Sequence, residues 1–248
     1  MTTKKTDPFN AGHVLRESKM LYQFHFKVIF TLGFILSLVK QVLGHVISQN
    51  IEIIQQHVAI KNVGMISLVL LGAFMVSIII TGTIQLFAAN SYRVEKWPLS
   101  HCFKVLFTRI LGLFVVSFIT AFIVWAGLAL YILPGILLLA LFFVAQPVVL
   151  FETANPFHAI RRAMRLGKQQ FFGLMVLAAT TIVFMMLPNL VINYFIDNAV
   201  RTTSYGIDQV VAIFINALLI PFVAILPVVA YRECSHREPK KENLTPTK

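Results

Sequence analysis

Charge is what this sequence has least of. Of its 248 residues only 12% are Asp, Glu, Lys or Arg, about half the ~25% usual in a soluble domain. Acid is scarcer still, with 10 Asp and Glu against 21 Lys and Arg. From Ile110 to Phe151 there is no Asp, Glu, Lys, Arg or His at all, a run of 42 residues. With 58% apolar residues and a mean hydropathy of +0.80, the composition excludes a soluble enzyme, a nucleic-acid-binding domain and a disordered tail. The two cysteines, Cys102 and Cys234, are too few for a metal site unaided and form no CxxC pair, and both fall on the side predicted to be cytoplasmic, where thiols stay reduced. HExxH, GxSxG, Walker and GxGxxG patterns are missing too, so no catalytic residue, metal or cofactor is expected. No acidic residue falls inside an apolar run, which counts against ion-coupled transport, because such proteins use a buried Asp, Glu or His.

What is present is apolar length. Six membrane spans are predicted, at about 28–47, 63–89, 110–130, 136–151, 171–196 and 209–231, dividing the chain into a segment 1–27, a transmembrane domain 28–231 and a polar tail 232–248. The 42-residue run as one helix would reach ~63 Å, twice the ~30 Å hydrocarbon core, so it is predicted to fold into a hairpin turning at Pro134-Gly135. Orientation follows from the bias of Lys and Arg towards cytoplasmic loops. With six spans and the N-terminus inside, 18 of the 21 basic residues are cytoplasmic, only Lys61 and Arg201 are external, and Lys40 lies within the first span. Fusing the third and fourth spans would leave 10 on either side. Both termini are therefore expected in the cytoplasm, the first span acting as an uncleaved anchor. The net charge of +11 then reflects orientation and attraction to anionic headgroups, and no nucleic-acid partner is expected.

Asp7-Pro8-Phe9, Trp97-Pro98-Leu99 and Asn155-Pro156-Phe157 each open a basic stretch that leads into an outgoing span. Pro suits the first helical position, and Asp7 and Asn155 are good N-caps. After Pro156, Phe157, Ile160, Met164 and Phe171 fall on one helical face and Arg161, Arg162, Arg165 and Lys168 on the other; Leu99, Cys102, Phe103, Leu106 and Ile110 repeat the apolar pattern, opposite Lys104. The first copy is looser, with Val14, Leu15, Leu21 and Tyr22 on its apolar side. The fold class predicted is all-α: six transmembrane helices as three parallel-related hairpins, each preceded by a basic amphipathic helix in the cytoplasmic interface.

Two groups of residues are candidates for a role. Arg161, Arg162, Arg165, Lys168, Lys104 and Arg109 form the expected contact with anionic lipid headgroups. Gln146, Asn189, Asn193 and Asn216 form a candidate polar path through the membrane, set beside Pro147 and Pro188, with Pro221 and Pro227 expected to break the sixth helix. The plainer account of these amides is interhelical hydrogen bonding at kinks. Glu152 is placed to pin the Arg161–Arg165 helix to the fourth span, Lys40 to snorkel outward, and Gly64, Gly72 and Gly82 to seat a neighbouring helix.

From Leu133 to Leu166 the chain reads LPGILLLALFFVAQPVVLFETANPFHAIRRAMRL. This stretch resembles the YciC family of multi-pass proteins of the bacterial inner membrane, and is similar to the membrane region of some glycerophosphodiester phosphodiesterases. The phosphodiesterase chemistry belongs to a separate soluble barrel with no counterpart in this chain. Where family members often carry Ser after the Arg of this helix, this chain has Arg161-Arg162-Ala163, so no role for that hydroxyl carries over. The resemblance implies bacterial inner-membrane residence and no assigned reaction. The expectation is a non-enzymatic membrane component engaging anionic lipid, a protein partner or a second copy in envelope upkeep; the alternative is a transporter or channel for a lipid-like or small neutral solute.

Overall fold

The computed structural model describes residues 9–56, 60–92, 98–199 and 207–237, which form no strand. In chain order the helices are α1 (Ala11–Phe24), α2 (Phe26–Gln56), α3 (Ile60–Asn90), α4 (Leu99–Leu130), α5 (Ile132–Phe142), α6 (Ala145–Phe151), α7 (Pro156–Gln169), α8 (Phe171–Ala199) and α9 (Ile207–Arg237). Four stretches are long and apolar enough to cross a membrane alone: Ser67–Asn90, Ser100–Gly127, Leu133–Phe151 and Val210–Arg237. Two more do so as bent pairs, α1 with α2 at 94° and α7 with α8 at 105°. The chain is an all-α, multi-pass membrane protein, and α1 and α7 lie across their spans as in-plane helices do.

The uncharged run folds as a hairpin, but its turn is not at Pro134-Gly135. The chain reverses at Tyr131 (φ −162°, ψ 151°), which caps both α4 and α5. Pro134 sits inside the first turn of α5, where its missing N–H costs no bond. Among the described residues no glycine has positive φ. Gly135 instead permits close approach, since a Cβ on Gly127 would stand 3.0 Å from the Gly135 Cα.

Proline acts differently in the fourth and sixth spans. Pro147 removes the donor that the Phe143 carbonyl would accept, and the helix yields at Val144 (φ −95°, ψ 9°) to give α5 and α6. The expected double break of the sixth span does not occur, for α9 runs unbroken through Pro221 and Pro227. Helix α2 closes over the first of them. A Cβ on Gly33 would lie 2.6 Å from the Ala217 carbonyl that Pro221 frees, so the glycine lets α2 cover that exposed group.

The repeat is real in the backbone, in a different register from the tripeptides. Asn10, not Asp7, caps α1, accepting from the His13 N–H at 3.2 Å. Asn155 caps α7, accepting from Phe157 and His158 at 3.1 and 3.4 Å. Pro98 occupies the same position before α4. Asp7 and Trp97 lie outside the described residues. Aligned on their caps, the copies share His at the third helical position (His13, His101, His158), a cation at the sixth (Arg16, Lys104, Arg161) and buried residues at the fourth (Val14, Cys102, Ala159) and eighth (Ser18, Leu106, Ala163). Helices α1 and α7 end at matching joints, His25 (φ −111°, ψ 24°) and Gln170 (φ −121°, ψ 32°). The middle copy has no joint, and α4 runs straight from interface to span, contrary to the expected third in-plane helix. Its equivalent residue is Leu113, an apolar and fully buried side chain within α4; a break there would strand amide groups in an apolar setting.

The three copies close into a ring. Within each hairpin α2 packs on α3, α4 on α5, and α8 on α9. Between hairpins the outgoing helix of each copy meets the return helix of another: α2 meets α9, α8 meets α5, and α4 meets α3. The helices that precede the spans follow the same cycle, α1 against α9 and α7 against α6. The return helices α3, α6 and α9 also touch one another, so they line the centre and the outgoing helices the outside. This is the arrangement of parallel repeats about an axis along the membrane normal.

Candidate functional site

Two features stand out, one at the end of the molecule that carries α1 and α7, the other between the spans.

At the α1/α7 end, small residues seat α7. Its buried face is Ala159, Ala163, Leu166 and Gly167, and a Cβ on Gly167 would stand 2.6 Å from the Leu141 carbonyl oxygen. Of the predicted face, Ile160, Met164 and Phe171 are partly buried against the core, and Phe157 departs from it. Phe157 is 73% exposed, because close helix packing needs small side chains and leaves the large ones to flank the contact. Arg161, Arg165 and Lys168 are exposed, as are Lys104, Arg16 and Lys19. The other two residues expected to touch headgroups turn inward. The Arg109 Nη1 donates to the Val149 carbonyl at 2.8 Å, satisfying an acceptor in the last turn of α6 and meeting the negative end of its dipole. Arg162, its side chain only 15% exposed, pairs with Glu152 at 3.0 Å. Glu152 thus pins α7 to the return helix, and it also accepts from the Tyr231 hydroxyl at 2.8 Å.

A second pin joins α1 to α9, where Arg232 donates to Glu17 at 2.8 Å and its guanidinium lies 3.8 Å over the Tyr92 ring. Burial, with the Glu17 carboxylate nearby, pushes the Tyr92 phenol well above its ordinary value. Burial likewise raises the Tyr22 phenol, whose hydroxyl donates to the Leu218 carbonyl at 3.0 Å. In the capped register Glu17 and Arg162 are equivalent. The Pro-Val-Val segments Pro147–Val149 and Pro227–Val229 in turn make Glu152 and Arg232 equivalent. The two latches therefore hold the same place in the ring with their charges exchanged.

Between the spans lies a chamber of about 510 Å³, walled by α3, α4, α5, α6, α8 and α9. Its polar lining is Ser77, Thr81, Ser117, Thr120, Gln146 and Thr181, and no charged residue contributes. Gln146 is held in a chain: the Gln85 Nε2 donates to its Oε1 at 3.1 Å, and its Nε2 donates to the Ser117 Oγ at 3.1 Å. The Thr181 Oγ1 is buried with no hydrogen-bond partner. Past Phe74, Ala121 and Trp125, which line both spaces, the chamber continues into a groove of about 540 Å³ between the outer halves of α3 and α4. Apart from Ser67, that groove is walled by apolar residues, among them Leu70, Leu71, Phe118 and Phe122.

Of the four amides proposed for a polar path, Gln146 lines the chamber. Asn216 is half-buried on α9 away from it, and the side chains of Asn189 and Asn193 lie outside the described residues. The described side chains thus bring Gln146 to the chamber and leave Asn216 apart from it. The hydroxyls of Ser117, Thr120 and Thr181 went unnoticed in the sequence. The signal lay in the repeat: Ser117 and Thr120 stand where the first copy has Ile29 and Leu32 and the third has Leu174 and Leu177. Lys40 is exposed on α2. Gly82 seats the Leu106 side chain of α4, whereas Gly64 and Gly72 face open space. Neither cysteine forms a disulfide, and among the described residues no three His, Cys, Asp or Glu converge as metal ligands would.

Fold and site define a multi-pass helical membrane protein with a latched, basic end and a neutral intramembrane chamber. No family model matches the chain, and neither a curated protein nor a solved structure matches it.

Proposed function

We propose that this protein is a non-enzymatic component of the bacterial inner membrane, the residence to which its resemblance to the YciC family points. In this reading both termini are cytoplasmic, and α1 and α7 hold anionic lipid headgroups against the inner leaflet. One observation carries it. Two helices bent 94° and 105° from their spans present Arg16, Lys19, Arg161, Arg165 and Lys168 outward, as basic helices that rest among headgroups do. Basic groups near such a surface contribute about 1 kcal/mol each, so α7 alone supplies about 3 kcal/mol. The inward Arg109 and Arg162 serve the fold instead.

Thermal unfolding in nanodiscs of phosphatidylglycerol and of phosphatidylcholine tests this. The native protein is expected to be more stable in the anionic lipid, by a margin that shrinks with salt. Neutralising Arg161, Arg165 and Lys168 together to Gln removes most of that margin, whereas Arg162→Gln lowers stability equally in both lipids. A triple variant that keeps the full margin overturns the proposal.

A further inference from the structure

We propose that the chamber beside Gln146 and its adjoining groove form a binding site for an uncharged lipid alcohol of the diacylglycerol class. The site is independent of the anionic-lipid face proposed above.

Four observations converge on it. The chamber's size falls in the ~300–1,000 Å³ range of sites for small organic ligands. Its lining carries hydroxyls and an amide but no Asp, Glu, Lys, Arg or His. A phosphate or carboxylate drawn in would have no counter-charge, and an unpaired charge at that depth is prohibitive, so the ligand is neutral. Thr181 belongs to the chamber wall and its Oγ1 is buried with no hydrogen-bond partner, a polar group that the fold leaves unsatisfied. The adjoining groove is apolar and shares Phe74, Ala121 and Trp125 with the chamber. One molecule with a hydroxyl and ester carbonyls at one end and hydrocarbon chains at the other matches both spaces.

The other copies carry hydrocarbon at the equivalent positions. Ile29, Leu174 and Leu177 are fully buried at the positions equivalent to Ser117, and in the third copy to Thr120. Leu226, also fully buried, stands where the second copy has Gln146. The outgoing helices of the first and third copies thus carry hydrocarbon at these positions, where the second carries hydroxyls that line the chamber.

The repeat also supplies the test, because the sibling residues are substitutions the fold accepts. The protein is placed in phosphatidylcholine nanodiscs containing a trace of dioleoylglycerol with a photoactivatable diazirine in one chain. A matched arm carries the same chain on phosphatidylcholine, another on phosphatidylglycerol. Labelling of α3 and α4 by the diacylglycerol probe, well above both phospholipid arms, is expected. Thr120→Leu, a change that strands no side-chain partner because the Thr120 hydroxyl donates to carbonyls of its own helix, is expected to unfold at the same or a higher temperature without probe and to lose labelling about tenfold, the value of one lost buried hydrogen bond. Equal labelling in all three arms means the groove meets only bulk lipid and overturns the proposal. Labelling unchanged in the leucine variant overturns it too, whether or not stability falls, because that hydroxyl then serves structure alone.

Discussion

The exchanged latches allow a charge swap with a worked outcome. Glu152→Arg places a second cation beside Arg162, whose side chain is only 15% exposed. Like charges about 4 Å apart repel by ~4 kcal/mol at an effective dielectric of 20; the 27% exposure of the Glu152 side chain lowers this to about 2 kcal/mol. The lost charge-assisted bonds from Arg162 and from Tyr231, at 3.0 and 2.8 Å, cost about another 2 kcal/mol. At 2–4 °C per kcal/mol for a chain of this size, unfolding should fall by roughly 8–16 °C. Adding Arg162→Glu recreates the polarity of the Glu17–Arg232 latch at this position, and only the Tyr231 contact stays altered. The double variant is expected to recover to within about 1 kcal/mol of the native protein. Thermal unfolding in nanodiscs of the native protein, both single variants and the double gives a complete cycle. Additive losses, with the double as unstable as the two singles combined, would refute the equivalence of the latches.

Three other predictions follow from the same geometry. A Cβ on Gly167 meets the Leu141 backbone at 2.6 Å while one on Gly72 meets nothing, so Gly167→Ala should cost about 3 kcal/mol and Gly72→Ala no more than ~0.5, read as unfolding temperatures. Arg109→Gln strips the Val149 carbonyl of its donor and should cost about 2 kcal/mol, with faster hydrogen exchange at the end of α6 and α7. The raised phenol of Tyr92 favours its neutral form in the folded protein, so this stability is complete below the ordinary tyrosine value and drains away as pH climbs above ~10. Tyr92→Phe should flatten that alkaline fall, measured as unfolding temperature against pH; an unchanged slope would count against the desolvated setting of the ring.

Much of this architecture was legible in the sequence, because burial in lipid leaves a coarse mark. The uncharged run had to fold back on itself, and Glu152 had to meet the basic helix that follows it. What was hidden depends on contacts rather than composition. Proline at 147 breaks its helix and prolines at 221 and 227 do not; at 221, Gly33 lets α2 cover the carbonyl that the proline frees. The tripeptide match pointed to Asp7 because Pro follows it, yet the cap is set by which side chain reaches the first turn, and that is Asn10. With the register three residues off in the first copy, Ser117 and Thr120 could not be seen as replacing Ile29 and Leu32. Nor could charge pattern alone tell that Arg109 and Arg162 face inward, since a cation on a helix looks the same in sequence whether it meets a headgroup or a carbonyl.

The opposite polarity of the two latches constrains how the three hairpins come together. Near-identical modules can mispair, one taking a neighbour's place, and apolar packing alone discriminates poorly between such arrangements. Were α1 to dock on the partner of α7, Glu17 would confront Glu152; were α7 to dock on the partner of α1, Arg162 would confront Arg232. Both wrong assemblies bring like charges into contact, whereas the observed order of hairpins gives Glu17 and Glu152 each a base.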